Sequence, residues 1–287
     1  MTTLPTSTRE LLFPYSYWES RLPLLSRQYR EADPFPHIVV DSFLQPQVLE
    51  QALAEFPGVH SGEWIHYLHV NEKKYGKTDL SSFGPTLRAI VQELNSERFV
   101  QFLSRLTGIE GLFADESLEG GGLHQSPAGG FLNVHADFTV HPHHQNWQRR
   151  VNVLIYLNKN WQDAYGGCLE LWDQSMKRCA QKIVPLLNRA VIFNTDPDSF
   201  HGHPDPIRSP EGMTRKSIAL YYFTQESDPY LRSTEYRSRP GDAPLKSFGI
   251  YLDKMTLRLY DRVKRTLGFN DQGVSRLLKF FSRYFNR

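Results

Sequence analysis

Residues 149–172 read RRVNVLIYLNKNWQDAYGGCLELW. Two short runs rich in β-branched and aromatic side chains, VNVLIYL (151–157) and LELW (169–172), flank a polar stretch carrying Asn158, Asn160, Asp163, Gly166 and Gly167. Val, Ile and Tyr suit a pleated strand, whereas Asn, Asp and Gly end one, so the stretch reads as strand, turn, strand. The same texture continues outward: FLNVHADF (131–138) lies before it, and KIVPLL (182–187), AVIFN (190–194) and KSIALYYF (216–223) follow. Strands spaced by roughly ten to twenty residues with turn signals between them predict an antiparallel sandwich or jelly roll rather than a βαβ sheet. The glycine run LEGGGLHQ (118–125) has no Lys-Ser/Thr pair after it and reads as a turn or bulge entering a strand, not a phosphate loop.

Helical periodicity comes earlier in the chain. After a short strand at His37–Val40, a helix with Val48, Leu49, Ala52, Leu53 and Phe56 on one face is expected. A second has Pro85 in its first turn and Leu87, Ile90, Val91 and Leu94 as its stripe. A third takes Ser96 as N-cap, Phe99, Phe102, Leu103 and Leu106 as its stripe and Gly108 as its stop. The expected fold is mainly β with flanking helices: a double-stranded β-helix (jelly roll) core with N-terminal helices packed on it and basic helices at the C-terminus. The divisions are an N-terminal arm (1–35), a domain at 36–226 with a helical flank (45–108) and a jelly-roll core (111–226), and a C-terminal helical extension (227–287).

Bulk properties exclude several classes. Hydrophobic content of 40% and charged content of 22% are those of a globular chain. There is no apolar run long enough to span a membrane and no signal-peptide pattern, which gives a cytoplasmic expectation. The two cysteines, Cys168 and Cys179, have no metal-type spacing and form no disulfide framework. A net charge of +2 points to no nucleic-acid partner. The charge is uneven, however: residues 254–287 hold nine Lys/Arg against two Asp, a local +7 that leaves −5 on the rest. A basic amphipathic tail of this kind reads first as packing on the body with its charges solvated, and as the alternative it can contact a membrane surface or an acidic partner.

Histidines concentrate where the first core strand ends. On a strand, residues two apart face the same way, so His135 and Asp137 in HAD present an imidazole and a carboxylate together. One more histidine from a neighbouring strand would complete a 2-His-1-carboxylate face of the kind that holds Fe(II) and leaves positions open. FNTDPDSFHGHPDP (193–206) offers His201 and His203. Arg215 and Ser217, two apart in RKSIAL, are a good receptor for a carboxylate. Triad and clamp together describe a site for iron plus a dicarboxylate. A non-catalytic cupin-type metal-binding protein is the rival reading, and it has no need of Arg215. His141, His143 and His144 in TVHPHHQNWQRR (139–150) read as a solvated loop, with substrate contact as the alternative; Trp147, Trp161 and Trp172 read as packing residues, with a pocket wall as the alternative for Trp172; and STEYRSRP (233–240) reads as a connector, with a lid or a partner site as the alternative.

From FPHIVVDSFL (35–44) through GGFLNVHAD (129–137), RRVNVLIYLNKNW, YGGCLELW, RAVIFNT (189–195) and HGHPDP (201–206) to RKSIALYYF (215–223), these motifs arrive in an order that resembles the Fe(II)- and 2-oxoglutarate-dependent oxygenases, in their prolyl 4-hydroxylase-like branch. The resemblance implies that His135, Asp137 and His201 bind iron, with His203 as the alternative distal ligand. It also implies that Arg215, assisted by Ser217, binds the distal carboxylate of 2-oxoglutarate, and that Asn152 and Tyr156 are polar co-substrate contacts. Ser126 stands where the branch usually has a co-substrate tyrosine. Retention of Asp137 favours oxygen insertion over halogenation. The implied activity is hydroxylation of an unactivated C–H bond of a prolyl or other amino-acid-like substrate, with O2 consumed, succinate and CO2 released, and L-ascorbate a candidate reductant. A lipid, glycan or small metabolite is the alternative substrate.

Overall fold

The computed structural model describes residues 12–62, 64–252 and 255. Its strands are β1 (His37–Val40), β2 (Ile65–His69), β3 (Glu72–Lys77), β4 (Phe113–Ala114), β5 (Gly122–Ser126), β6 (Phe131–Ala136), β7 (Trp147–Tyr156), β8 (Leu169–Trp172), β9 (Cys179–Ile183), β10 (Ala190–Asn194), β11 (His201–His203), β12 (Arg215–Gln225) and β13 (Glu235–Tyr236). They form one antiparallel sheet, ordered β1-β10-β7-β12-β5-β3-β6-β11-β8-β9, that curls into a jelly roll. β7 and β12 are its long central pair, with Ser217 opposite Tyr156 and Tyr221 opposite Asn152. Because the pleat alternates, one face of this pair sends Val151, Val153, Ile155, Ile218, Leu220 and Tyr222 into the main core. The other face carries Asn152, Tyr156, Arg215, Ser217 and Tyr221 toward the inside of the roll.

Helices cover the outer face of the core. Pro46–Glu55, Pro85–Leu94 and Glu97–Thr107 fall where the periodicity places them, each with its apolar stripe inward. Ser96 caps the last by accepting from the Phe99 N–H, and Gly108 ends it with φ 77, a left-handed conformation in which a Cβ is costly.

Two expectations are corrected. The predicted arm is helical at Tyr15–Glu19 and Leu22–Arg30, and Phe13, Tyr15, Trp18, Leu22, Leu25 and Tyr29 join the main core. Phe13 packs edge-on against Phe43, Phe99 and Phe102, a contact set that no local period reveals. The predicted strand KIVPLL begins earlier, as β9, because β9 must pair with β8 and Pro185 cannot donate to a ladder. The hairpin β2–β3 has no counterpart among the expected strands. It is polar, yet β3 bridges β5 and β6 and so ties the two halves of the roll together. The basic tail 254–287 lies outside the described residues, apart from Met255. Among those described, the extension is helical over 244–252, and no helix is long and apolar enough to cross a membrane.

Candidate metal and dicarboxylate site

His135 near the end of β6, Asp137 just beyond it and His201 at the start of β11 converge because His201 pairs directly with His135 in the ladder. One ligand atom from each lies within 4.8 Å of the other two. Both imidazole Nε2 atoms are 3.5 Å from an Asp137 oxygen, His135 from Oδ1 and His201 from Oδ2. Each ring is fixed from behind by the same device. The His135 Nδ1 is 2.9 Å from the Asn133 carbonyl and the His201 Nδ1 is 2.9 Å from the Ser199 carbonyl, leaving Nε2 of both as the inward lone pair. Two pinned imidazoles and a carboxylate are the donor set that suits non-haem Fe(II).

Asp137 is held by residues from β7. Arg149 Nη2 lies 3.1 Å from Oδ2, and Asn152 Nδ2 donates to the same oxygen at 2.8 Å. The Arg149 guanidinium also donates to Asn152 Oδ1 and stacks 3.5 Å from the Tyr221 ring centroid. Burial pushes the Asp137 carboxyl up, but Arg149, then His201 and His135, outweigh it and hold the group well below the usual carboxylate range. Burial is likewise the largest cause at His201 and, despite the pull of Asp137, takes that ring down to about 4.

Arg215, at the start of β12, is 6% exposed. Its Nε donates to the Gly167 carbonyl at 2.7 Å and its Nη2 lies 3.3 Å from the Tyr156 hydroxyl, and among the described residues it has no carboxylate partner. A buried guanidinium without an acid is a poor structural element. It is a good receptor for a carboxylate brought in from outside, here flanked by buried Ser217 and Tyr156. The residues present therefore fit both iron and a dicarboxylate.

Asn152, expected at the co-substrate, is bonded to Asp137 and Arg149, and Tyr156, expected there too, reaches Arg215. Two assignments change. His141 is not solvated: it is 1% exposed, its Nε2 lies 3.5 Å from buried Asp115, and it packs beside Trp147 and Phe223. STEYRSRP is more than a connector, since β13 pairs with β6 and sets Tyr236 opposite His135, with ring centroids 5.4 Å apart. Arg149, Lys74 and Tyr236 are site residues that the motifs did not single out. Lys74 reaches inward from the β2–β3 hairpin, paired with Glu72 at 3.1 Å. An alternation of Glu72, Lys74 and Gly76 on one face was the available signal.

Residues 121–223 match the family model described as the 2OG-Fe(II) oxygenase superfamily. Over those residues the chain carries the match to a 2OG-Fe(II) oxygenase, and the relatives it resembles are prolyl hydroxylases. The family match and the His135–Asp137–His201 donor set together support Fe(II) and 2-oxoglutarate. The chain is 26% identical over 215 residues to prolyl 3-hydroxylase OGFOD1 of Mus musculus, covering 72% of this chain. The chain spans only 36% of that relative's length. Among solved structures it resembles a prolyl hydroxylase from Trichoplax adhaerens in complex with a hypoxia inducible factor peptide fragment (TM-score 0.53, 19% identity, 77% of this chain and 94% of that one). It also resembles a prolyl 4-hydroxylase of Phytophthora capsici (TM-score 0.51, 17% identity, 88% of this chain and 75% of that one). At these identities the structural likeness speaks for the fold.

Proposed function

We propose that this protein is an Fe(II)- and 2-oxoglutarate-dependent hydroxylase acting on a prolyl or other amino-acid-like residue. Its overall reaction would convert substrate C–H, O2 and 2-oxoglutarate to C–OH, succinate and CO2. The observation that carries the reading is the pairing of a buried His135–Asp137–His201 donor set with a buried Arg215 that has no carboxylate partner among the described residues. Iron held by His135, Asp137 and His201 would supply activation of O2, with 2-oxoglutarate as the source of electrons. The chain's own share is physical. Asn133 and Ser199 carbonyls fix the imidazole tautomers, Arg149 and Asn152 keep Asp137 ionised and oriented, and Arg215 with Ser217 and Tyr156 holds the distal carboxylate. Tyr236 and the β2–β3 hairpin wall the site and limit water. The prolyl part of the reading is supported by the names of the relatives.

The test is to incubate the protein with Fe(II), 2-oxoglutarate, isotopically labelled O2 and a proline-scanning peptide set, and to follow product mass. A prolyl residue gaining one labelled oxygen is expected. Consumption of 2-oxoglutarate without any peptide gaining oxygen would overturn the prolyl reading and leave the oxygenase reading standing.

A further inference from the structure

We propose that His203 is a co-substrate-binding residue whose Nδ1–H donates to a carboxylate oxygen of the 2-oxoglutarate anchored by Arg215. This rests on the oxygenase reading above and adds to it a contact that the triad and the clamp do not contain.

His203 ends β11, two residues beyond His201, and is 4% exposed. Its Nδ1 is fully buried and has no hydrogen-bond partner among the described residues. The contrast with its neighbours is direct, because His135 and His201 each have Nδ1 bonded to the carbonyl two residues earlier. His203 lacks that support, and a shift separates its register from that of His201. It is therefore not built as a ligand histidine is built. Leaving a buried ring nitrogen unmet is costly, so a retained one calls for a partner that arrives later.

Its surroundings say what that partner is. Arg215 donates to the Gly167 carbonyl just before β8, and β8 pairs with β11, the strand that His203 ends. Among the described residues Arg215 has no acid, whereas Lys74 has Glu72 at 3.1 Å. A buried guanidinium without an acid and a buried imidazole nitrogen without a partner thus lie on elements that both adjoin β8. A water molecule or a monocarboxylate would answer one of them. A dicarboxylate fixed at Arg215 and extending toward the triad answers both.

The experiment uses the full chain loaded with Mn(II), with 2-oxoglutarate added without O2 and binding measured by calorimetry. His203→Leu is expected to raise the 2-oxoglutarate Kd about tenfold while Mn(II) affinity stays within about twofold of native. His203→Asn, which keeps a donor, is expected to recover most of that loss. A His203→Leu protein that binds 2-oxoglutarate as the native protein does would overturn the proposal. So would one that loses Mn(II) as His201→Ala does, since His203 would then be a ligand. Should the leucine variant not fold, the native protein still answers: with Zn(II) bound and histidine nitrogen labelled, the His203 Nδ1 resonance, identified by its absence in His203→Asn, must move on adding 2-oxoglutarate. An unmoved resonance overturns the contact. Native protein that takes up no 2-oxoglutarate at all would instead overturn the oxygenase reading beneath it.

Discussion

Asp137 is the residue on which the site depends most, because its oxygens face two imidazoles and two β7 donors at once. The H-x-D spacing made His135 and Asp137 legible, since strand alternation alone puts them on one face. It could not reveal Arg149, whose side chain lies along β7 beneath Tyr221 and is recognisable only once the ladder is closed. Nor could the spacing choose between His201 and His203. The choice rests on Nδ1, which is pinned in one and bare in the other. Arg149→Met leaves Asp137 as a buried carboxylate with Asn152 as its chief support. Losing one partner of a buried pair costs about 3 to 5 kcal/mol. We therefore expect the metal-free variant to melt well below the native protein in thermal unfolding. Saturating Mn(II) should restore part of that loss, because the cation replaces the missing charge. Equal melting of variant and native protein would show that Arg149 does not hold Asp137.

At the scale of elements, the apolar strands and the three amphipathic helices were readable because their burial patterns follow periods of two and of 3.6 residues. The β2–β3 hairpin was not. EKKYGK carries one aromatic residue and no β-branched one, and it forms a strand because β5 and β6 offer it unpaired edges. The β11 strand shows how tightly the site depends on its ladder. A Cβ on Gly202, between His201 and His203, would lie 2.8 Å from the Leu132 carbonyl oxygen and 2.9 Å from that of Asn133. These are backbone atoms of β6, so relief requires the strands to separate. Gly202→Ala should draw His201 away from His135 and weaken Mn(II) binding by about tenfold or more, the range in which misoriented ligands act. Calorimetric titration of the folded variant measures this, and native affinity would refute the strand-spacing argument.

For the whole molecule, the jelly roll could be read from strand spacing, but the N-terminal helices could not. Phe13, Tyr15 and Trp18 show no period by themselves and are buried by surfaces that lie far along the chain, Phe43 and Phe99 among them. Tyr15 also donates to buried Glu93 at 2.6 Å, tying the N-terminal segment to the helical layer that backs the site. Helical layer, central β7–β12 pair and inward-facing site therefore form one unit, in which the outer face of the pair makes the core and the inner face makes the chemistry. The central claim is that this inner face holds iron through His135, Asp137 and His201 and 2-oxoglutarate through Arg215. The most direct measurement is succinate formed from 2-oxoglutarate with Fe(II) and O2, in the native protein and in His201→Ala, His203→Ala and Arg215→Ala. The expected result is succinate from the native protein, background levels from His201→Ala and Arg215→Ala, and a reduced rate from His203→Ala that rises with added 2-oxoglutarate. Native turnover in His201→Ala, or its abolition in His203→Ala alone, would contradict it.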